Sequence, residues 1–352
     1  MRRTCSRASG LGPRRIQRSW SAPCRRPALR DPRDARRTCF WSRNVFAKGS
    51  PFDEASRPVK TGFIGTYTAL VTPFREGKLD DAALEGLVQA QIKAGIDGVV
   101  PVGTTGESPT LSYEEHIRVV ELTVKYARKR LRVLAGTGAN STEEAIFLTR
   151  AAEKAGADGS LQVAPYYNKP TQEGLYQHFR AVARSTRLPI MLYSIPGRCG
   201  IEIEVDTVKR LARDCRNVVG IKEAGGNPDR VSSLRAAVSE RFVILSGDDA
   251  LTLPFLAVGA QGVISVASNI IPKEVARMVS TFRAGRLRDA QRQHARLYPL
   301  FKQLFVESNP IPVKAAMAMA GLIRDELRLP LVPLSAKHRE PLRRTLTECG
   351  VL

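Results

Sequence analysis

Histidine is scarce, with four in 352 residues, and the six cysteines, Cys5, Cys24, Cys39, Cys199, Cys215 and Cys349, form no C-x-x-C pair and no Cys/His cluster. That spacing points away from a zinc site and from a disulfide framework, and it suits a reducing compartment. No apolar run approaches the roughly 20 residues needed to span a bilayer, so a soluble body is expected. A glycine-rich phosphate loop after an early strand is also missing, which weighs against an open, doubly wound nucleotide-binding sheet. Neither a metal nor a cofactor is expected.

Acidic residues are short in number and unevenly placed. The chain carries 55 Lys+Arg against 34 Asp+Glu, a net charge of +21. Residues 1–60 hold 16 of the basic and 4 of the acidic side chains, which leaves the remainder at +9. Excess base ordinarily raises nucleic acid or an anionic membrane as partners, because Lys and Arg displace counterions from phosphate. Here most of the charge lies in a segment without periodicity and without aromatics spaced for stacking bases, so the body is expected to bind neither. Residues 1–60, rich in Arg, Ser and Pro, suit an organelle transit segment or a disordered extension from an upstream start. The body is expected in the cytoplasm, with a plastid or another organelle as the alternative if that segment is a transit peptide.

Beyond residue 61, short β-branched runs alternate with stretches of helical periodicity, the pattern of repeated βα units on a parallel sheet. Eight runs read as strands: 66–73, 98–102, 132–136, 160–164, 190–195, 218–223, 243–246 and 262–267. Between them lie helical stretches such as 80–94, 112–129, 142–154 and 172–184. Ser112 ahead of Tyr113-Glu114-Glu115 and Ser141 ahead of Thr142-Glu143-Glu144 have the capping-box arrangement that satisfies orphan helix N–H groups. K-A-G-I-D-G at 93–98 recurs as K-A-G-A-D-G at 154–159, with a looser copy at 259–262. Each puts a glycine where a helix ends in a left-handed cap before a buried strand. The expected fold is α/β, a (βα)8 TIM barrel over residues 61–283, followed by a C-terminal helical region over 284–352 that packs outside the barrel.

Active sites of such barrels assemble at the carboxyl ends of the strands. Lys222, in V-V-G-I-K-E-A, interrupts an apolar run near the end of the sixth strand. Desolvation there would lower its pKa and free a neutral amine to attack a ketone. Alternatively, its head emerges into water or pairs with Glu223. The G-T-T-G-E loop at 103–107 suits a small carboxylate, through glycine, hydroxyl and backbone N–H groups, or is an ordinary turn. Tyr166, Tyr167 and Tyr193 offer phenols that relay protons, or plug the barrel; Arg198 offers a planar fork for a carboxylate. In a closed barrel all of these face one mouth.

The motifs G-T-T-G-E at 103–107, P-Y-Y-N at 165–168, Y-S-I-P-G-R at 193–198, G-I-K-E-A at 220–224, S-G-D-D at 246–249, G-V-I-S-V at 262–266 and N-P-I-P-V-K at 309–314 closely resemble those of the dihydrodipicolinate synthase family. The resemblance runs from Gly62 to Leu352 and implies a class I aldolase that condenses pyruvate with L-aspartate 4-semialdehyde in lysine biosynthesis. By it, Lys222 forms the imine and Tyr193 is the general acid and base. Thr104 and Tyr167 complete a proton relay, Tyr167 entering from a neighbouring subunit of a homotetramer. Thr105 holds the pyruvate carboxylate, Arg198 orients the second substrate, and Gly247 and Ile264 line the pocket. Ser108, His116, Asn140, Glu144 and Tyr166 match a lysine-inhibitor site, although Tyr113 departs from a familiar His there. Ser194 and Cys199 depart from the usual Asn and Thr. The alternatives are a related N-acetylneuraminate lyase or 4-hydroxy-2-oxoglutarate aldolase, and a non-catalytic barrel that binds or regulates.

Overall fold

Eight β-branched runs become eight parallel strands: β1 Gly65–Ala69, β2 Gly98–Val100, β3 Arg132–Gly136, β4 Gly159–Val163, β5 Ile190–Ser194, β6 Val218–Glu223, β7 Val243–Ser246 and β8 Gly262–Ser265. Each bonds to the next, and β8 returns to β1 with Gly262 opposite Gly65, so the sheet is a closed barrel. This computed structural model describes residues 62–352, and the expectation for residues 1–60 lies outside the described residues.

Helices α1 Asp81–Ala94, α2 Tyr113–Ala127, α3 Thr142–Ala155, α4 Gln172–Arg184, α5 Val205–Asp214, α6 Pro228–Ala237, α7 Thr252–Ala257 and α8 Pro272–Arg283 follow the strands in turn. The recurring glycine joints work as the sequence suggests. Gly95 at φ 73° and Gly156 at φ 87° close α1 and α3, each returning its N–H to carbonyls of the last turn. At the start of α2, Ser112 and Glu115 form the full capping box.

Inward-facing side chains fill the barrel: Tyr67, Val100, Leu134, Leu161, Met191, Leu245 and Ile264 belong to one buried cluster. At the amino-terminal end the rings of Phe63 and Tyr67 meet at a tilt with centroids 6.2 Å apart, and the Tyr67 hydroxyl donates to the Gly62 carbonyl at 2.6 Å. The sixth strand carries an irregularity with consequences for chemistry. Ile190 pairs with Val218 but Met191 pairs with Gly220, so Val219 is an extra residue. Val218 and Ile221 both pack toward the outer helices, three positions apart. An unbroken period of two would have turned Lys222 outward with Val218; the bulge turns it inward.

Two features depart from the sequence reading. The first strand ends at Ala69 rather than at 73, because the Asn269 side chain donates to the Ala69 carbonyl at 2.7 Å and accepts from Val71 N at 3.2 Å, replacing a ladder partner. Just after it, Phe74–Arg75 and Lys78–Leu79 form a small antiparallel hairpin around Glu76 and Gly77, both at positive φ. Glu-Gly is not among the strong hairpin signals, so nothing local announced it.

Beyond the barrel come α9 Leu287–Gln303, α10 Ile311–Met319 and α11 Ala336–Glu348. Leu297, Leu300 and Phe301 of α9 share a buried cluster with Val275 and Met278 of α8 and with Leu342 and Leu346 of α11. The start of α10 does more than pack outside. Lys314, fully buried, donates to Glu107 Oε1 at 2.5 Å and to the Thr72 carbonyl at 2.9 Å, tying the extension to the mouth of the barrel.

Barrel closure is least tolerant at Gly262, where an added Cβ would lie 1.9 Å from the Gly65 carbonyl oxygen. Gly262→Ala is expected to lower unfolding free energy by about 3 kcal/mol or more, or to prevent folding. Gly86→Ala, on the exposed face of α1 with open space around it, is expected to raise it by about 0.5–1 kcal/mol. Urea titration of both variants checks the pair.

Candidate active site

At the carboxyl ends of the strands lies a cavity of about 200 Å³, lined by Gly103, Thr104, Gly136, Leu161, Tyr193, Arg198 and Cys199 among others. Lys222, on β6, is only 6% exposed and lies behind Tyr193, a residue of the lining, with its amine over that ring. It does not pair with Glu223, which points to the opposite face of the strand and accepts from Arg230 Nε at 2.9 Å. Burial pulls the Lys222 pKa down to about 7; the Asp249 carboxylate opposes this and the Arg198 guanidinium adds to it.

Tyr193 sits opposite Lys222 in the β5–β6 register, with the amine 4.1 Å from the centre of its ring. Burial pushes its phenol up to about 12, while the neighbouring Thr104 hydroxyl and Arg198 work the other way. The phenol therefore holds its proton near neutral pH. Arg198 lies on a one-turn helix, Pro196–Cys199, directly after β5, and its Nη2 donates to the Asn309 carbonyl at 3.0 Å.

Thr105 is buried, and its Oγ1 accepts from Asn309 Nδ2 at 2.9 Å. Gly247 packs against the Lys222 stem: its N–H donates to the Glu223 carbonyl at 2.8 Å, and an added Cβ would lie 3.0 Å from Lys222 Cε. Ile264 is buried in the same cluster as Tyr193. Tyr167 behaves differently. It is 90% exposed, at φ 74°, and is not among the residues lining the cavity.

The five residues expected on the inhibitor flank gather beside this cavity. Ser108 Oγ lies 3.5 Å from His116 Nδ1, and Asn140 Nδ2 donates to the Tyr166 carbonyl at 3.3 Å. Ser108 and Tyr166 also line the cavity itself. Burial raises the Tyr166 phenol pKa, with Glu144 adding to the rise, and pulls His116 down to about 4, so His116 is neutral. Tyr113 and Phe147, each half exposed, meet edge to face at 5.7 Å.

Of the two departures, Ser194 does not reach the pocket: it faces outward, accepting from Ile203 N at 3.4 Å. Cys199 does line it, and burial lifts its thiol to about 11, which keeps it protonated and inert. Sequence reasoning gave no role to Asp249, the last residue of S-G-D-D. It is 1% exposed, its Oδ2 accepts from the Val266 and Ala267 N–H groups at 2.9 Å, and burial lifts its pKa to about 6. Asn309 and Lys314 were likewise visible only as parts of a motif. Among the described residues, no three His, Cys, Asp or Glu side chains gather in a way that could hold a metal ion.

Comparison with known proteins agrees with this geometry. Residues 62–349 match the family model described as the dihydrodipicolinate synthetase family. The 4-hydroxy-tetrahydrodipicolinate synthase of Sulfurihydrogenibium sp. (strain YO3AOP1) is 54% identical over 291 residues, covering 82% of this chain and 99% of that protein. The solved 4-hydroxy-tetrahydrodipicolinate synthase of Methylacidiphilum fumariolicum SolV superposes with a TM-score of 0.81 at 58% identity, over 82% of this chain and 96% of the other. A dihydrodipicolinate synthase from Cyanidioschyzon merolae, solved with lysine bound, superposes at 0.81 and 44% identity, over 83% of this chain and 99% of the other. With a match of this extent and the buried lysine at the mouth of the barrel, the chain belongs to the dihydrodipicolinate synthetase family.

Proposed function

We propose that the chain is a 4-hydroxy-tetrahydrodipicolinate synthase, condensing pyruvate with L-aspartate 4-semialdehyde through a Schiff base on Lys222. One observation carries this reading: a lysine desolvated to a pKa of about 7, its amine over the ring of a protonated tyrosine that lines the cavity. A neutral amine attacks the 2-oxo carbon, and water leaves once its oxygen is protonated, which Tyr193 is placed to do. The protonated imine draws electrons from the adjacent methyl group, so the enamine forms near neutral pH and adds to the aldehyde carbon. Attack by the semialdehyde's own amine then closes the ring and releases Lys222.

Each remaining residue serves that sequence. Thr104 passes the proton between Tyr193 and Tyr167, and the exposure of Tyr167 suits a side chain that completes the relay in a neighbouring copy, within a homotetramer built as a dimer of dimers. Thr105 and the N–H groups of its loop hold the pyruvate carboxylate. At the rim, Arg198 takes the carboxylate of the semialdehyde. The backbones of Gly247 and Ile264 shape the floor. Ser108, His116, Asn140, Glu144 and Tyr166 form a flank suited to lysine as a feedback ligand, the ligand found on the Cyanidioschyzon merolae relative. No helix among the described residues is long and apolar enough to cross a membrane, and the setting we propose is the cytoplasm.

Supplied with pyruvate and each of three aldehydes, aspartate semialdehyde, N-acetylmannosamine and glyoxylate, the enzyme is expected to turn over the first by far the fastest. Preference for either of the others assigns the chain to a sister lyase or aldolase. Arg198→Ala is expected to reduce kcat/KM for the semialdehyde by about 100-fold, the worth of a paired charged hydrogen bond, with pyruvate imine formation nearly unchanged. Tyr193→Phe keeps the ring but not the proton, and kcat is expected to fall by roughly 100- to 10,000-fold. Steady-state kinetics on both variants tests the division of roles.

A further inference from the structure

The N-P-I-P-V-K stretch at 309–314 has no part in the reaction just drawn, yet its first residue bonds to two of the residues assigned to that reaction. Asn309 is 6% exposed and makes two contacts with residues far away in sequence. Its side-chain Nδ2 donates to Thr105 Oγ1 at 2.9 Å, and its backbone carbonyl accepts from Arg198 Nη2 at 3.0 Å. Five positions on, Lys314 anchors the segment to Glu107 of the same G-T-T-G-E loop, and the second oxygen of Glu107 accepts from Arg328 N at 3.1 Å. Asn309 is thus fixed relative to the groups that would hold the two substrate carboxylates.

A hydroxyl has one proton to give and lone pairs to accept with. Thr105 Oγ1 accepts from Asn309, and among the described residues its side chain makes no other hydrogen bond. Its proton is therefore free for an anion. Were the amide reversed, Asn309 Oδ1 would take that proton, and lone pairs would face the incoming carboxylate. The Oδ1 atom itself is buried without a hydrogen-bond partner.

We propose that Asn309 is a positioning residue for the pyruvate carboxylate: by donating to Thr105 Oγ1 it presents the Thr105 hydroxyl as a donor, while its carbonyl seats Arg198 at the rim. This rests on the reading of Lys222 and Thr105 given under Proposed function. The side chain governs pyruvate and the backbone carbonyl governs Arg198, so side-chain changes separate the two substrates.

The test measures KM for both substrates and kcat in Asn309→Ala and Asn309→Asp, together with the pyruvate concentration that half-saturates hydride trapping on Lys222. Asn309→Ala is expected to raise the pyruvate KM and that half-saturation about 10-fold or more, the worth of one hydrogen bond to a charged group. The semialdehyde KM stays within about 3-fold, because the carbonyl holding Arg198 is kept. Asn309→Asp has the same shape but accepts the Thr105 proton and sets a negative charge beside the substrate anion, so it should weaken pyruvate more than the alanine does. A purely structural role would move both substrates together and lower Tm, with the isosteric variant the milder of the two. That pattern, or an Asn309→Asp enzyme whose pyruvate dependence matches the wild type, overturns the inference. Wild-type protein that gains no adduct at all overturns the imine reading instead, so the two failures are distinct.

Discussion

Burial of a single amine is the constraint around which this molecule is organised. Removing an ammonium from water is costly, and a protein meets the cost either by pairing the charge or by letting the proton go. Here it is only partly paired. Glu223, the adjacent carboxylate, is committed to Arg230 on the far face of the sheet. Asp249 is near enough to favour the ammonium, but two backbone N–H groups already occupy one of its oxygens. Arg198 pushes the other way. The outcome is an amine poised near neutrality, able to act as a nucleophile without a strong base beside it.

Holding that balance requires the whole barrel. The closed sheet excludes water from the Lys222 stem, the extra residue at Val219 turns its side chain inward, and glycine at 247 leaves room for it. Tyr193, on the adjacent strand, sets its ring 4.1 Å from the amine, and burial keeps its phenol protonated. The loops at this end are tied from outside the repeat: Asn309, before α10, donates to Thr105 in the loop after β2, and Lys314, within α10, donates to the Thr72 carbonyl after β1, each across more than 200 residues of chain. The C-terminal extension is therefore joined to the loops at the chemical end of the barrel as well as to its outer helices.

The architecture was largely legible because it repeats. Alternation of β-branched runs with helical periods gives the eight units, and the glycine joints at 95 and 156 mark two of their ends by a physical need for positive φ. The chemical end of the barrel was legible by position alone, since chemistry-bearing residues cluster just after strands. Local pattern failed where contact is distant or register is broken. Nothing in V-V-G-I-K-E reveals which face Lys222 takes, because both faces of that strand are buried and the bulge leaves no signature residue. Asn269 ending β1 and Asn309 contacting Thr105 depend on partners about 200 positions away. Asp249 stands in the S-G-D-D motif, but only the folded chain shows its carboxylate buried and close enough to bias the amine.

The central claim is that desolvation makes Lys222 a neutral nucleophile near pH 7. It is tested most directly by the pH dependence of initial imine formation with pyruvate, read as cyanoborohydride-trapped carboxyethyl mass on the peptide bearing Lys222. Since the free amine reacts, the rate should rise with pH through a midpoint near 7, the value to which burial brings this side chain. A midpoint at the ordinary lysine value of about 10.4, or modification that spares this peptide, would contradict the account.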